Sequence, residues 1–261
     1  VWASEGHGKS VLEKFYKQLT PEQLSSIKVV TGDGAKWITE CVNEYTPGCA
    51  RCVDPFHVVE WAMTALDEVR KDIWHDAYSE YKQVKKDNPR GKGRPKKDAP
   101  GLAIVKAAKA KADEIKGSAY ALGKAPEHLS EKQQLRVNLI ASQNPRLYRA
   151  YLLKEQLRLL LKLTNVDEAE DKIKRWLWKV SQSRIPAFKE LYQKVRHHKT
   201  HILNTIRYGM SNARIEATNN KIKLIIRKAY GFRNIQNMLD MVYLVCSDIR
   251  IPLPNRKLNA A

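Results

Sequence analysis

The strand signal in this chain is confined to its first 58 residues, and everything after Val58 is patterned for helix. Ile27-Lys28-Val29-Val30-Thr31 is a β-branched run ending at Gly32-Asp33-Gly34, and Cys49 to Val53 is a second short apolar run ending at Asp54. Between them a helix is expected from about Trp37 to Tyr45, broken by Thr46-Pro47-Gly48. Strands alternating with helices imply a parallel sheet, whose functional groups gather at the carboxyl ends of the strands. Asp33 and Asp54 both fall at such ends. Upstream, Val1-Trp2-Ala3 reads as the end of a further strand. Val11, Leu12, Phe15, Tyr16 and Leu19 then make a short amphipathic helix stopped by Thr20-Pro21.

Val59, Ala62, Leu66, Val69, Ile73 and Tyr81 fit one long helix from near His57 to about Lys86. A linker rich in Pro, Gly, Lys and Arg covers 87–101. Helical patterns resume over 102–116, 130–142, 146–163, 167–180, 186–207, 212–229 and 234–248, without a convincing repeat. A small α/β unit followed by a large helical region is the expected fold class: α/β plus all-α, predominantly helical.

Charge narrows the partners. The formal charge is +19 with a pI near 9.7, yet residues 1–60 hold six Lys and Arg against eight Asp and Glu. The whole excess therefore lies in the helical region, which repels itself unless it meets a polyanion, and nucleic acid is the commonest one. An anionic membrane is the rival, but no long apolar span, signal peptide or lipidation site is present. Four cysteines in an ordinary composition suit a reducing compartment.

The most informative stretch runs from Ser211 to Asn234. Ser211 and Asn212 are available as helix caps, and Ile215, Thr218, Ile222, Ile225 and Ala229 recur at the spacing of an inward face. Glu216, Asn219, Asn220, Lys223 and Arg227 fall on the other side. Glu216 is the sole acid there, among Arg214, Lys221, Lys223, Arg227, Lys228 and Arg233. Such a carboxylate is either an ion-pair partner for its neighbours or a metal ligand beside a phosphate backbone.

Weaker motifs leave alternatives open. Ala3 to Ser10 meets a relaxed phosphate-loop pattern, with Ala in place of the first Gly, or is a plain strand-to-helix turn. Cys49 and Cys52 have zinc-like spacing but no second pair, which favours core cysteines. His197, His198 and His201 contain an i, i+4 pair without the Glu of a zincin, which favours a solvated or phosphate-facing surface. Trp176 and Trp178 are core residues or stacking platforms for an extruded base. The linker's Arg90, Lys92 and Arg94, around Gly-Arg-Pro, resemble an AT-hook in a narrow minor groove, against a disordered basic tether.

The pattern Val30-Thr31-Gly32-Asp33, Pro47-Gly48, Cys52-Val53-Asp54-Pro55-Phe56-His57-Val58-Val59, Ser211-Asn212-x-x-Ile215-Glu216-x-x-Asn219-Asn220-Lys221-Ile222-Lys223 and Ala229-Tyr230-Gly231-Phe232-Arg233-Asn234 closely resembles the ISL-three-type bacterial insertion-sequence transposases. Leu152-Leu153-Lys154-Glu155 and Lys124 to Ser130 also fit, so the resemblance covers essentially the whole chain. It implies a DDE transposase: a ribonuclease-H-like core interrupted by an all-helical insertion before the final carboxylate. Core residues would then occupy 1–60, the insertion 61–207 with its linker 87–101, returning core helices 208–250, and a tail 251–261. Ala213 and Ala217 replace the family's usual glycines, a mild departure on a helix.

The resemblance also implies roles. Asp33 corresponds to the second catalytic Asp and Glu216 to the catalytic Glu, both as metal ligands. Asp54 and His57 match an Asp-x-x-His signature that would support the site. Arg214, Asn219, Asn220, Lys221, Lys223, Arg227, Lys228, Arg233 and the linker's Arg90, Lys92 and Arg94 would contact DNA. The implied cofactor is Mg²⁺ or Mn²⁺, two ions roughly 3.5–4 Å apart that activate the attacking oxygen and stabilise the leaving one. The implied partners are the terminal inverted repeats of the element and its target DNA, with a homo-oligomer on DNA left open, in the cytoplasm at the nucleoid. The first catalytic Asp is expected upstream of Val1, so catalysis by this chain alone is not expected. A non-catalytic DNA-binding remnant or regulator is the alternative.

Overall fold

The computed structural model describes residues 1–89, 101–210 and 213–248. In chain order the elements are α1 (Lys9–Lys17), α2 (Pro21–Ser26), β1 (Val29–Gly32), α3 (Lys36–Tyr45), β2 (Ala50–Val53), α4 (Pro55–Asp87), α5 (Leu102–Gly117), α6 (Ala119–Gly123), α7 (Glu131–Gln143), α8 (Pro145–Leu160), α9 (Val166–Ser181), α10 (Pro186–His197), α11 (Lys199–Tyr208), α12 (Ala213–Lys228) and α13 (Ile235–Cys246). The described residues are thus predominantly helical with little sheet. They divide into two compact units, one of Val1–Asp54 together with the segment from Met210 onward, the other Pro55–Gly209.

In the first unit, β1 and β2 pair in parallel, in register from Val29↔Ala50 to Gly32↔Val53, with α3 as the crossover. Thr20 starts α2 with a capping box, its side chain accepting from the Gln23 amide, and Pro21 sits where a missing N–H costs nothing. The Tyr16 ring of α1 is buried and stacks on Tyr45 of α3, with centroids 5.2 Å apart and planes 2° from parallel. Cys41 and Val42 of α3 and Cys52 and Val53 of β2 complete this small core. Val1 to Ala3 do not form the expected strand. Instead the Tyr243 hydroxyl of α13 donates to the Ala3 carbonyl at 2.7 Å and accepts from the Ala3 amide at 3.1 Å. One phenol thereby satisfies both main-chain groups that a neighbouring strand would have paired.

The second unit is a helical assembly around α4, whose 33 residues span about 50 Å at 1.5 Å per residue. Val58, Ala62, Ala65, Leu66 and Val69 are buried along one stripe of α4, which packs on α5, α8 and α10. α9 packs on α8, α10 and α11, burying Ala169, Ile173, Trp176 and Val180. The Asn165 side chain caps α9 by accepting from the amides of Asp167 and Glu168, at 2.9 and 3.1 Å. The helix expected over 186–207 is two helices, broken at His198. That residue is buried, with its ring 5.4 Å from Trp61 and its Nδ1 3.2 Å from Nδ1 of His201. Gly209, at φ 59°, closes α11 in the left-handed conformation that glycine takes without strain.

A charged network crosses α8. Arg158 grips Glu127 with two parallel bonds of 2.8 and 2.9 Å and donates to Glu155 at 2.7 Å, while the buried Lys154 ammonium pairs with Glu155 and reaches the Lys124 carbonyl. The Glu127 carboxyl is lowered to about 2, chiefly by a main-chain hydrogen bond and then by Arg158. These are the residues of the Lys124–Ser130 and Leu152–Glu155 segments, and they tie α8 to the turn before α7.

Candidate functional site

Register brings two acids to one edge. Because Gly32 pairs with Val53, Asp33 and Asp54 leave adjacent strands at the same level, and the Asp54 amide donates to the Gly32 carbonyl at 2.9 Å. The Asp33 side chain is exposed, and its Oδ1 accepts the Ala35 amide at 2.9 Å, an Asx turn that swings the chain into α3. Asp54 is 5% exposed.

Arg51, absent from the candidates taken from sequence, organises this edge. Its register partner is Val30, yet its buried guanidinium extends along the strands to donate to the main-chain carbonyls of Asp33 and Cys52. Burial lowers its pKa, and the Asp33 carboxylate opposes that shift by favouring the cation. A cation is therefore fixed beside Asp33. The one available signal was compositional: an Arg inside an otherwise apolar parallel strand has no reason to be there unless its head group has oxygens to meet.

His57 lies in the first turn of α4, with Nδ1 3.0 Å from Glu60 Oε2. Glu216 is on α12, in the same unit as Asp33. It is exposed and has no ion pair among the described residues. Asn219, Asn220, Lys221, Lys223, Arg227 and Lys228 are likewise exposed, as is Arg233 beyond the helix. Arg214 belongs to the first turn of α12. Arg90, Lys92 and Arg94 lie outside the described residues. The half-buried face of α12 is Thr218, Ile222, Ile225 and Ile226, whereas Ile215 and Ala229 at its two ends are exposed. The inward stripe is thus shorter than the periodicity suggested, because α13 is the main element packed against it. After α12, Tyr230 holds φ 54° with its side chain wholly exposed, followed by Gly231 at φ 95°. A tyrosine in the left-handed region is uncommon and strained.

Among the described residues no three His, Cys, Asp or Glu side chains are grouped to hold a metal ion. The chemistry of the available donors nevertheless suits a hard cation, since Asp33 and Glu216 both present exposed carboxylates. Trp176 and His198, from the weaker motifs, are structural. Trp176 is 2% exposed and its indole donates to the Leu153 carbonyl at 2.8 Å, while Trp178 is 66% exposed. His198 is a packing residue rather than a solvated one. Cys41 and Cys52 are buried and Cys49 is half-buried, and none of the three forms a disulfide among the described residues. Lys9 and Ser10 of the relaxed phosphate-loop pattern begin α1, with Gly8 ahead of them at φ 102°.

A family profile described as a transposase, of the ISL3 DDE type, matches residues 1–242. The chain belongs to this family. Similar proteins include the transposase for insertion sequence element IS1557 from two strains of Mycobacterium tuberculosis, CDC 1551 and H37Rv. Each is 39% identical over 257 residues, covering 98% of this chain and 56% of the relative. The transposase for insertion sequence element IS1001 of Bordetella parapertussis is 24% identical over 235 residues, covering 90% of this chain and 51% of the relative. The chain therefore spans about half the length of the curated relatives it matches. No solved structure matches it. Among the described residues of this ISL3-family chain, no helix is long and apolar enough to cross a membrane.

Proposed function

We propose that the protein to which this chain belongs catalyses DNA transposition, by metal-dependent strand cleavage and strand transfer at insertion-sequence ends. A ribonuclease-H-like core would contain the β1–α3–β2 unit, and the Pro55–Gly209 unit would be its helical insertion. The observation that carries the reading is the α12 stripe: one exposed carboxylate, without an ion pair among the described residues, set among exposed amides and cations. An exposed carboxylate on a helix stripe of amides and cations suits a position where phosphate and a divalent cation meet.

Asp33 and Glu216 would hold Mg²⁺ or Mn²⁺, and the bound metal would activate the attacking oxygen and stabilise the leaving one. The chain's own contribution is positioning. The Asx turn fixes the Asp33 carboxylate, and Arg51 fixes the main chain beneath it. Lys221, Lys223, Arg227, Lys228 and Arg233, with Arg214, Asn219 and Asn220, would bind the DNA backbone. Asp54 and His57 would support the strand end rather than bind metal, so Asp54→Asn should weaken activity without abolishing it.

The test uses the full-length protein and a duplex carrying the element ends. Asp33→Asn and Glu216→Gln should each reduce Mg²⁺-dependent cleavage to background while leaving DNA binding within about two-fold. Cleavage by Glu216→Gln at the unaltered rate would remove that residue from the site. Replacing Lys221, Lys223 and Arg227 together by Gln should flatten the slope of log affinity against log salt by up to about 2.7, near 0.9 for each lost phosphate contact.

A further inference from the structure

α9 is sorted by charge along its length. Its acids, Asp167, Glu168, Glu170 and Asp171, all precede its bases, Lys172, Lys174, Arg175 and Lys179, so the helix is neutral in a chain of net charge +19. Ala169, Ile173, Trp176 and Val180 are buried and fix which side faces inward. On the exposed side Asp167, Asp171, Arg175 and Lys179 follow one another at i, i+4 spacing, one ridge with two negative charges and then two positive ones. Glu168 and Glu170 are answered within the helix by Lys172 at 2.7 Å and Lys174 at 3.2 Å. Among the described residues Asp167, Asp171 and Arg175 have no ion pair, and Lys179 reaches only the Gln156 amide oxygen, at 3.3 Å.

The helix dipole favours acids in the first turn and bases in the last, which accounts for Asp167 and Lys179. It does not reach Asp171 and Arg175 in the middle of the helix. Within one molecule the ridge sets acid beside acid and base beside base, which weakens a helix. Reversed, the same order is its own complement. In an antiparallel pair of α9 helices related by a two-fold axis at Ile173, Asp171 meets Arg175 of the partner subunit and Asp167 meets Lys179 of the partner subunit, and symmetry makes each contact twice. Ridges of i, i+4 residues from two helices interdigitate when the helices cross at roughly 50°, the commonest packing class. Arg175 and Lys179 also wall a groove of about 330 Å³ between α8 and α9, floored by Leu159, Leu160 and Trp176. The acidic half of a second α9 placed there lies along a cationic wall and covers Leu159, which is 54% exposed. Two strongly basic copies repel one another, and a neutral helix lets them meet without adding like charge.

We infer that α9 is a self-association surface on which a second copy of this chain docks antiparallel, through the ridge from Asp167 to Lys179. The inference goes beyond the DNA reading and does not depend on it. One helix pair covers less than the roughly 800 Å² per partner of a standard interface, so the free dimer is weak, with a Kd on the order of 10–100 μM.

The experiment mixes isotopically light and heavy copies of this chain at about 100 μM, near the expected Kd, and adds a water-soluble carbodiimide, which joins a carboxylate to an amine only where the two touch. A light–heavy peptide pair joined between Asp167 and Lys179 is expected. Within one chain these residues lie about 18 Å apart along the helix, beyond the reach of such a link. Sedimentation velocity then gives the dimer constant. Asp171→Arg and Arg175→Asp should each weaken association at least about ten-fold, because each turns two attractions into repulsions. The two substitutions together should restore it to within about three-fold of the unsubstituted chain, since the charges again meet their opposites. Both side chains are exposed, so the variants should fold, and unchanged melting curves verify this. A chain that stays monomeric throughout, no light–heavy link at these residues, or a paired substitution no better than the single ones would overturn the inference. No DNA enters the assay, so a failure of the DNA reading cannot be mistaken for a failure here.

Discussion

Arg51 is the residue on which the candidate edge turns. A guanidinium withdrawn from water must satisfy its N–H groups with oxygens, and here two of those oxygens are main-chain carbonyls of adjacent strand ends. Arg51→Leu keeps the apolar stem but leaves both carbonyls without that donor, so it should cost about 1–3 kcal/mol in urea unfolding. Loss of less than half a kcal/mol, on the order of a neutral surface change, would show that water replaces the guanidinium. Sequence marked Asp33 and Asp54 because turn residues follow apolar runs, but nothing in the pattern encodes how far an arginine reaches along a strand. Tyr151 supplies a second residue-scale test. Burial first, and then the Glu155 charge, push its phenol up to about 12 from an ordinary value near 10. The folded state thus favours the neutral phenol. That contribution is complete below pH 10 and is lost as pH rises from about 10 to about 12. Subtracting the urea midpoints of Tyr151→Phe from those of the unsubstituted chain should expose this loss, while a flat difference across that range would contradict it.

Helix positions were legible because each apolar stripe is long and bounded by caps or prolines. Expected spans of 37–45 and 102–116 meet observed helices at Lys36–Tyr45 and Leu102–Gly117. The failures share a physical cause, which is tertiary contact overriding local pattern. Between α10 and α11 there is no Gly or Pro, and the break is made by His198 seated against Trp61. At the start of the chain, Tyr243 from the far end of the sequence takes the hydrogen bonds of Ala3, so no strand forms. For α12 the periodicity identified a helix but could not say how much of its apolar side finds a neighbour. α9 offers the cleanest element-scale test, since Asn165 caps two of its free amides. Asn165→Ala should destabilise the chain by about 1 kcal/mol, read as a shift in denaturation midpoint with unchanged slope. No shift would mean that the acidic first turn, Asp167 and Glu168, suffices to hold the helix start.

At the scale of the molecule the two units differ in kind. The Pro55–Gly209 unit buries a continuous helical core, whereas the other unit has a two-stranded sheet and few fully buried side chains. Two strands alone are marginal in water, so amides of β1 and β2 should exchange with deuterium orders of magnitude faster than those of α4 and α8. Equal protection in both would indicate a single cooperative fold. The bond between Ala3 and Tyr243 also has a meaning in time. On a ribosome adding ~5–20 residues per second, roughly 8–30 s of synthesis separate the release of Asp54 from that of Met210. Throughout that interval the unit that holds the sheet lacks α12 and α13, while the helical unit, whose sequence is uninterrupted, can already complete itself. Synthesis therefore delivers the parts in a fixed order. The helical unit is finished first, and the exposed carboxylates of Asp33 and Glu216 come to share a folded body only once the last helices have arrived.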